Sequence, residues 1–451
     1  MVASKKMQVD LIEGDILKVM LALAVPFLVS NIFQQLYNTV DTIIVGHSLG
    51  DMSLAAIGAS DPIFFLLIGF AIGIGNGMSI VLARIYGTGD MERLREVVAG
   101  MIIIGAIVSI ALTIMSSFFL MPLLRLLGTP VEIIDEAYSY IRVITLFLGV
   151  MLTYNICSSI LRAIGNSIMP LVFLAISSVL NIGLDLLFIK TFNMGIQGAA
   201  IATVIAQGIS AVLCLVYIYK ECDFLIPSRK HFKINKTLYA DLLGQGISMG
   251  LISSFVSIGS LIMQYAINSM GYLIIAGQMA ARKIFGFTIM PLMAICSSLL
   301  PFIAQNKGAD QRDRIRKSVK YANIISIIWA VIVTILMYFT APFLLKALTG
   351  SDNETIIKYG VTFIRLNAPF YIALGPLLNL RYVLQGIGQN LLPLVSGVIE
   401  LVGKAIFTFW IFEYTGAIGI MLCEPVIWCI MLVQLVVSYY RDPYIKGECS
   451  E

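Results

Sequence analysis

Charge is what this 451-residue chain has least of: Asp, Glu, Lys and Arg together make up 12% of it, where soluble proteins carry about 25%. With 59% hydrophobic residues and a mean hydropathy of +0.93, a water-soluble globule is excluded. Histidine is almost missing. The two present, His47 in a loop and His231 in a basic linker, lie too far from any carboxylate pair to build a metal or hydrolytic centre, so no enzyme is expected. The seven cysteines (157, 214, 222, 296, 423, 429 and 449) are odd in number and form no CxxC or Cys/His cluster, which argues against both a disulfide framework and a zinc site. No GK[ST] ending turns a Gly-rich stretch into a P-loop. A cleavable signal peptide is also lacking: a polar tail with Lys5 and Lys6 precedes an apolar run that starts near Ile16 and is far longer than a signal core. The net charge of +4 does not read as nucleic-acid binding, because the basic residues sit in short loops between apolar runs.

What is present is a series of apolar runs. A spanning helix needs about 20 such residues, and twelve segments qualify: 16–40, 54–82, 97–120, 137–159, 168–189, 196–219, 241–268, 274–303, 318–340, 359–380, 391–412 and 417–438. The expected fold is therefore an all-α polytopic membrane protein. One set of loops carries Arg84, Arg93 and Arg95, then Arg162, then Lys220 to Lys236, then Lys307 to Lys320. The opposite set holds only Arg125, Lys190, Lys346 and Lys358. The positive-inside rule makes the first set cytoplasmic, with both termini inside.

Sliding the chain against itself reveals a repeat. At a shift of 221, Ser48 and Gly50 meet Ser269 and Gly271, and Arg93 and Arg95 meet Arg314 and Arg316; at 223, Ile164-Gly165 with Pro170 meets Ile387-Gly388 with Pro393. Each half is a six-helix lobe, and because six is even both lobes enter the membrane in the same direction. A pseudo-two-fold along the membrane normal should relate them. The expected divisions are a tail (1–15), an N-lobe (16–219), a linker (220–238), a C-lobe (239–440) and a second tail (441–451). Gly69, Gly73 and Gly77 in GFAIGIGNG have the spacing of a close helix-packing face.

The chemistry sits in two polar stripes. On the first span Asn31, Gln34, Asn38 and Asp41 share a face, with Tyr37 one turn before Asp41. A carboxylate in hydrocarbon costs at least about 2.5 kcal/mol, so such residues face a cavity and usually have a task. The fifth span carries Asn181 and Asp185 one turn apart, behind Ser177 and Ser178. Thr203 on the sixth span and Asn155 on the fourth add oxygens, or else bond back to their own helices. Such a set can bind a proton, and it equally suits a hard cation such as sodium. Pro26, inside the first span, is the expected hinge. The second lobe does not echo this site: Lys404, Thr408 and Glu424 replace Asn181, Asp185 and Thr203, and Glu400 stands one turn before Lys404 as an ion-pair partner.

Taken together, the chain resembles the multidrug and toxic compound extrusion (MATE) family of bacteria. The resemblance rests on the opening PFLVSNIFQQLYNTVDTIIVGHSLG, the paired LARIYGTGD and IAQNKGAD turns, and the paired LRAIGNSIMP and LQGIGQNLLP segments. It implies an antiporter that exports drugs or organic cations from a V-shaped cleft, exchanging them for H+ or Na+ without a bound cofactor, and it suggests a monomer. In the DinF-like branch the first-lobe cation site falls on Tyr37, Asp41, Asn181 and Asp185, with Thr203 alongside. Acids that the NorM-like branch places on the seventh and tenth helices are lacking here. The alternative is a lipid-linked oligosaccharide flippase, which would need clustered basic residues; Lys283, Lys404 and Arg365 do not cluster with the polar stripes.

Overall fold

A computed structural model describes residues 8–351 and 353–447; Lys5, Lys6 and Cys449 lie outside them. The described residues form helices joined by short connections, without a strand. In chain order the helices are α1 (Ile16–Leu49), α2 (Asp51–Thr88), α3 (Met91–Leu126), α4 (Val131–Leu146), α5 (Leu148–Ala163), α6 (Ile168–Asp185) and α7 (Gly195–Glu221). The second half holds α8 (Lys236–Ser269), α9 (Tyr272–Gly308), α10 (Arg312–Thr349), α11 (Glu354–Asn367), α12 (Tyr371–Gly386), α13 (Leu391–Ile406), α14 (Phe412–Thr415), α15 (Ala417–Arg441) and α16 (Pro443–Lys446). Among the described residues eleven spans pass by length and hydropathy, and the bent pair α4–α5, taken as one span, makes the twelfth.

The spans end where the sequence supplies caps. At the end of α2, Gly89 adopts φ +78, a left-handed conformation that its missing Cβ makes inexpensive, and Asp90 then caps α3 by accepting from the Arg93 amide at 3.0 Å. In the second half Asp310, 221 positions on, takes the positive φ itself.

The fourth span is not the straight helix expected over 137–159. It breaks at Phe147 with a bend of 51°. The tenth span breaks at the equivalent place, through a turn of 3-10 helix over Ala368–Phe370. A break in a membrane helix frees carbonyls that lipid cannot satisfy. Thr113 on α3 donates to the Thr145 carbonyl at 3.2 Å, and Thr334 on α10 donates to the Ala368 carbonyl at 2.9 Å. Those donors are 221 residues apart and those acceptors 223, so the two lobes repair the same break with the same residue type. The fifth and eleventh spans also match, each loosening into a π turn, at Leu186–Thr191 and Phe407–Ile411.

Contacts divide the chain into two compact units. The first holds residues 8–12 and Val25–Ser254; the second holds Glu13–Ala24 and the residues from Phe255 onward. One boundary, after Ile12, precedes α1; the other two fall inside helices, after Ala24 in α1, close to Pro26, and after Ser254 in α8. In the first unit α2 and the early part of α8 approach closely through small residues: a Cβ on Gly73 would lie 2.6 Å from the Gly250 Cα, and one on Gly69 would lie 3.9 Å from the Ser253 Cβ. Arg84 pairs with Asp241 across the same two helices. The segment between α7 and α8 folds onto α3: Glu92 accepts from Lys230 at 2.7 Å and meets the buried His231 at 3.0 Å, and Arg95 donates to the Phe224 carbonyl.

Candidate functional site

In the first unit, α1, α6 and α7 bring five of the expected residues together. Asp185 is the last α-helical residue of α6, where the helix passes into its π turn, and it is fully buried. Asn181, one turn earlier and also fully buried, orients its amide by its neighbours: Nδ2 donates to Asp185 Oδ2 at 2.8 Å, and the amide oxygen accepts from the Thr203 backbone N–H at 3.2 Å. The Thr203 hydroxyl lies 3.2 Å from the Tyr37 hydroxyl. Asp41 and Asp185 are neighbours, each within electrostatic reach of the other.

One oxygen of each carboxyl group, Oδ1 of Asp41 and of Asp185, has no hydrogen-bond partner among the described residues. Neither carboxylate forms an ion pair among them. Buried acceptors without a donor are costly, by about 1–3 kcal/mol each. A small cation or a proton arriving there would remove that cost. Among the described residues no group of three or more His, Cys, Asp or Glu could hold a transition metal.

The remaining expected residues divide. Asn155 donates to the Met151 carbonyl of its own helix at 2.8 Å. Ser177 and Ser178 likewise bond back to Leu174. Asn31 is half-buried, while Gln34 and Asn38 are exposed. Pro26 stays inside a continuous α1, and its carbonyl accepts from the Ser30 hydroxyl at 2.8 Å.

Two neighbours of the site were not singled out from the sequence. Tyr140 on α4 is buried within electrostatic reach of Asp41, Tyr37, Asp61 and Asp185. Asp61 interrupts the apolar run of α2, and the rule that found Asp41 would have found it. In the second unit Lys404 donates to Glu400 at 3.0 Å, the expected pair, but Arg381 joins it: Arg381 lies 3.6 Å from the other Glu400 oxygen and donates to Ser396 at 3.0 Å. Arg365 instead donates to the Tyr338 carbonyl at 2.7 Å. The basic residues of the second lobe are therefore more numerous than Lys283, Lys404 and Arg365, and include Arg282, 3.5 Å from Glu424.

The MatE family model matches residues 26–187 and again residues 249–410. The chain belongs to the MATE family. The two MATE segments are offset by 223 residues at both ends (249 − 26 and 410 − 187), the shift at which the broken fourth and tenth spans coincide. Among MATE relatives, the "Probable multidrug resistance protein YoeA" of Bacillus subtilis is 27% identical over 436 residues, covering 94% of each chain. The "Multidrug export protein MepA" of Staphylococcus saprophyticus is 24% identical with 95% of each covered. Among solved structures, a "multidrug resistance MATE family transporter of the MOP superfamily" in an outward-facing conformation aligns with a TM-score of 0.88 at 25% identity, covering 98% of this chain and 99% of that one. A MATE structure "in the bent conformation" aligns with a TM-score of 0.90 at 24% identity, covering 97% and 98%. These likenesses establish two six-helix lobes for this chain as well.

Proposed function

We propose that this MATE chain is a secondary active exporter of small drugs or organic cations, working as a monomer in the bacterial inner membrane with both termini cytoplasmic. Efflux is driven by antiport against an inward-moving cation that binds at Asp41, Asn181 and Asp185. The observation that carries this reading is the pair of carboxyl groups from α1 and α6, Asp185 buried and Asp41 half-buried, without a cationic partner and each with one buried, orphaned oxygen. Cation arrival neutralises the pair, alters how α1 packs against α6 and α7, and favours the conformation that releases the exported compound. α1 has its inexpensive bending point at Pro26, where the missing amide leaves the Ala22 carbonyl without its helical donor.

The driving energy is adequate: one charge falling through 100 mV supplies about 2.3 kcal/mol. Competition between the cation and the compound for one conformational equilibrium makes the coupling reciprocal.

The first reading of the coupling ion is a proton taken up by the carboxyl pair. The second is sodium, with Thr203, Tyr37 and the Asn181 amide oxygen, when it faces Asp185, as further ligands. Reconstituted protein tested for efflux under a proton gradient without sodium, and then under a sodium gradient without a proton gradient, separates the two. Proton-driven efflux without sodium supports the reading, and strict sodium dependence replaces it with the second.

A further inference from the structure

The first lobe carries an apolar groove that the cation-coupled reading leaves without a task. Its volume is about 580 Å³, within the range of small-molecule sites, and among the described residues no charged side chain lines it. α3 supplies one wall through Val98, Ile102, Gly105 and Ser109, which share a helix face. α5 and α7 supply the others, and Leu225 and Pro227 of the linker close one end. From Val98 to Ile110 the groove follows about 18 Å of α3, close to the roughly 15 Å depth of one bilayer leaflet. Ile102, Ile110 and Leu215 line it and are also exposed on the surface of their spans, so the groove opens sideways to hydrocarbon.

The closed end is basic. Lys220 follows the lining residue Tyr219, and Arg229 stands two residues past Pro227; both are exposed, and neither forms an ion pair among the described residues. Lys230 is held differently, by Glu92 at 2.7 Å. Lys233 lies between the exposed Phe232 and Ile234, a pattern that rests apolar side chains in a membrane surface and keeps the charge at headgroup level. From Lys220 to Lys236 five Lys or Arg stand against Glu221 and Asp223, a net charge of +3 with His231 neutral.

The second lobe has the same frame and packs it differently. Arg95 holds the linker by donating through Nε to the Phe224 carbonyl at 3.1 Å, and Arg316 and Ile445, each 221 positions on, repeat that bond at the same length. At the groove the repeat changes character: Ile102 and Gly105 correspond to Asn323 and Ser326, and Ile156 corresponds to Asn379. Asn379 donates to both of those partners at 3.0 Å, and a Cβ on Gly375 would lie 2.6 Å from the Ser326 Cβ. Hydrogen bonds and a close approach draw α10 and α12 together at the positions where α3 and α5 leave an open space lined by apolar side chains. The groove is built by residues that the repeat does not share.

A void forfeits the dispersion contacts of its lining, so a space open to hydrocarbon is filled by the molecules around it, which are lipids. An acyl chain matches this groove in length and in chemistry. The cations at its mouth select the headgroup, because basic pockets beside membrane spans take anionic ones. We propose that the first lobe holds one anionic glycerophospholipid, with an acyl chain along α3, α5 and α7 and its phosphate on Lys220 and Arg229. Its headgroup ties the linker to the end of α7.

Native mass spectrometry of the purified full chain, titrated with phosphatidylglycerol and with phosphatidylcholine of the same acyl composition, tests the site. The wild type should bind one phosphatidylglycerol more tightly than phosphatidylcholine by about tenfold or more, at about fivefold for each of the two basic residues. Lys220→Gln combined with Arg229→Gln should bring phosphatidylglycerol down to the phosphatidylcholine level; both side chains are exposed, so the fold does not depend on them. Ala106→Trp, which fills the groove from its lipid-facing wall, should weaken both lipids, while Ile327→Trp, at the equivalent exposed position of the second lobe, should weaken neither. Equal affinity of the wild type for the two lipids, or a preference that survives the double substitution, overturns the headgroup site. Equal effects of Ala106→Trp and Ile327→Trp overturn the groove as its location. Loss of binding of a fluorescent organic cation in Ala106→Trp, with lipid binding kept, gives the groove to the exported compound instead.

Discussion

Alanine at Gly73 should destabilise the protein, and the same substitution one turn away should not. Gly73 and Gly69 lie on one face of α2, and both face α8. A Cβ at Gly73 would stand 2.6 Å from the Gly250 Cα and 2.8 Å from the Met249 carbonyl oxygen, all backbone atoms that no rotamer can move. Ordinary contact begins at 3.4 Å, so the helices must separate locally by at least 0.8 Å (3.4 − 2.6). Overpacking of this kind costs about 1–3 kcal/mol. The better helix propensity of alanine returns up to about 1 kcal/mol of it. At Gly69 the nearest atom is 3.9 Å away, so only the propensity gain remains. Thermal denaturation of the purified variants in detergent should rank Gly73→Ala below wild type and Gly69→Ala at or above it. Gly73→Ala melting as high as Gly69→Ala would refute the close α2–α8 approach.

Three further outcomes follow from single contacts. Thr113→Val and Thr334→Val each remove a hydroxyl that donates to a carbonyl at a broken span, and each should lower stability by about 0.6–2 kcal/mol in denaturation, while the serine variants, which keep the hydroxyl, should not. Tyr37→Phe removes the hydroxyl that meets Thr203, and should slow gradient-driven efflux roughly fivefold, the worth of about 1 kcal/mol; unchanged transport would take Tyr37 out of the site. Cys222, in the linker just after α7, is buried, and burial followed by the neighbouring Glu221 and Asp223 charges pushes its thiol up to about 11. Because the thiolate reacts, only about a thousandth of Cys222 is reactive at pH 8. Maleimide labelling there should be slow and should rise about tenfold per pH unit, and rapid labelling at pH 8 would contradict its burial.

The architecture was legible because it is written in long apolar runs, in loop charge and in a repeat that survives at matching offsets. The Asp41, Asn181 and Asp185 set was legible for the same reason: carboxylates stand out against apolar neighbours. What the sequence concealed depends on helical phase and on backbone breaks. Arg282 and Lys283 are adjacent, so composition alone cannot say which turns inward; the structure turns Arg282 toward Glu424. The break at Phe147 has no proline to announce it, unlike its counterpart at Pro369, and Thr113 reads as an unremarkable threonine until the Thr145 carbonyl is seen beside it. Asn155 shows the converse: its position in the fourth span fitted the site, and its amide bonds to its own helix.

The central claim is that the Asp41 and Asp185 carboxyl pair couples cation entry to export. It is tested most directly in proteoliposomes by measuring efflux of a fluorescent organic cation driven by an imposed proton gradient, for the wild type, Asp41→Asn and Asp185→Asn, each first shown to be monodisperse. The account predicts that both variants lose gradient-driven efflux by tenfold or more, about 1.4 kcal/mol or greater in coupling, while still binding the compound. Wild-type efflux in either variant would contradict it.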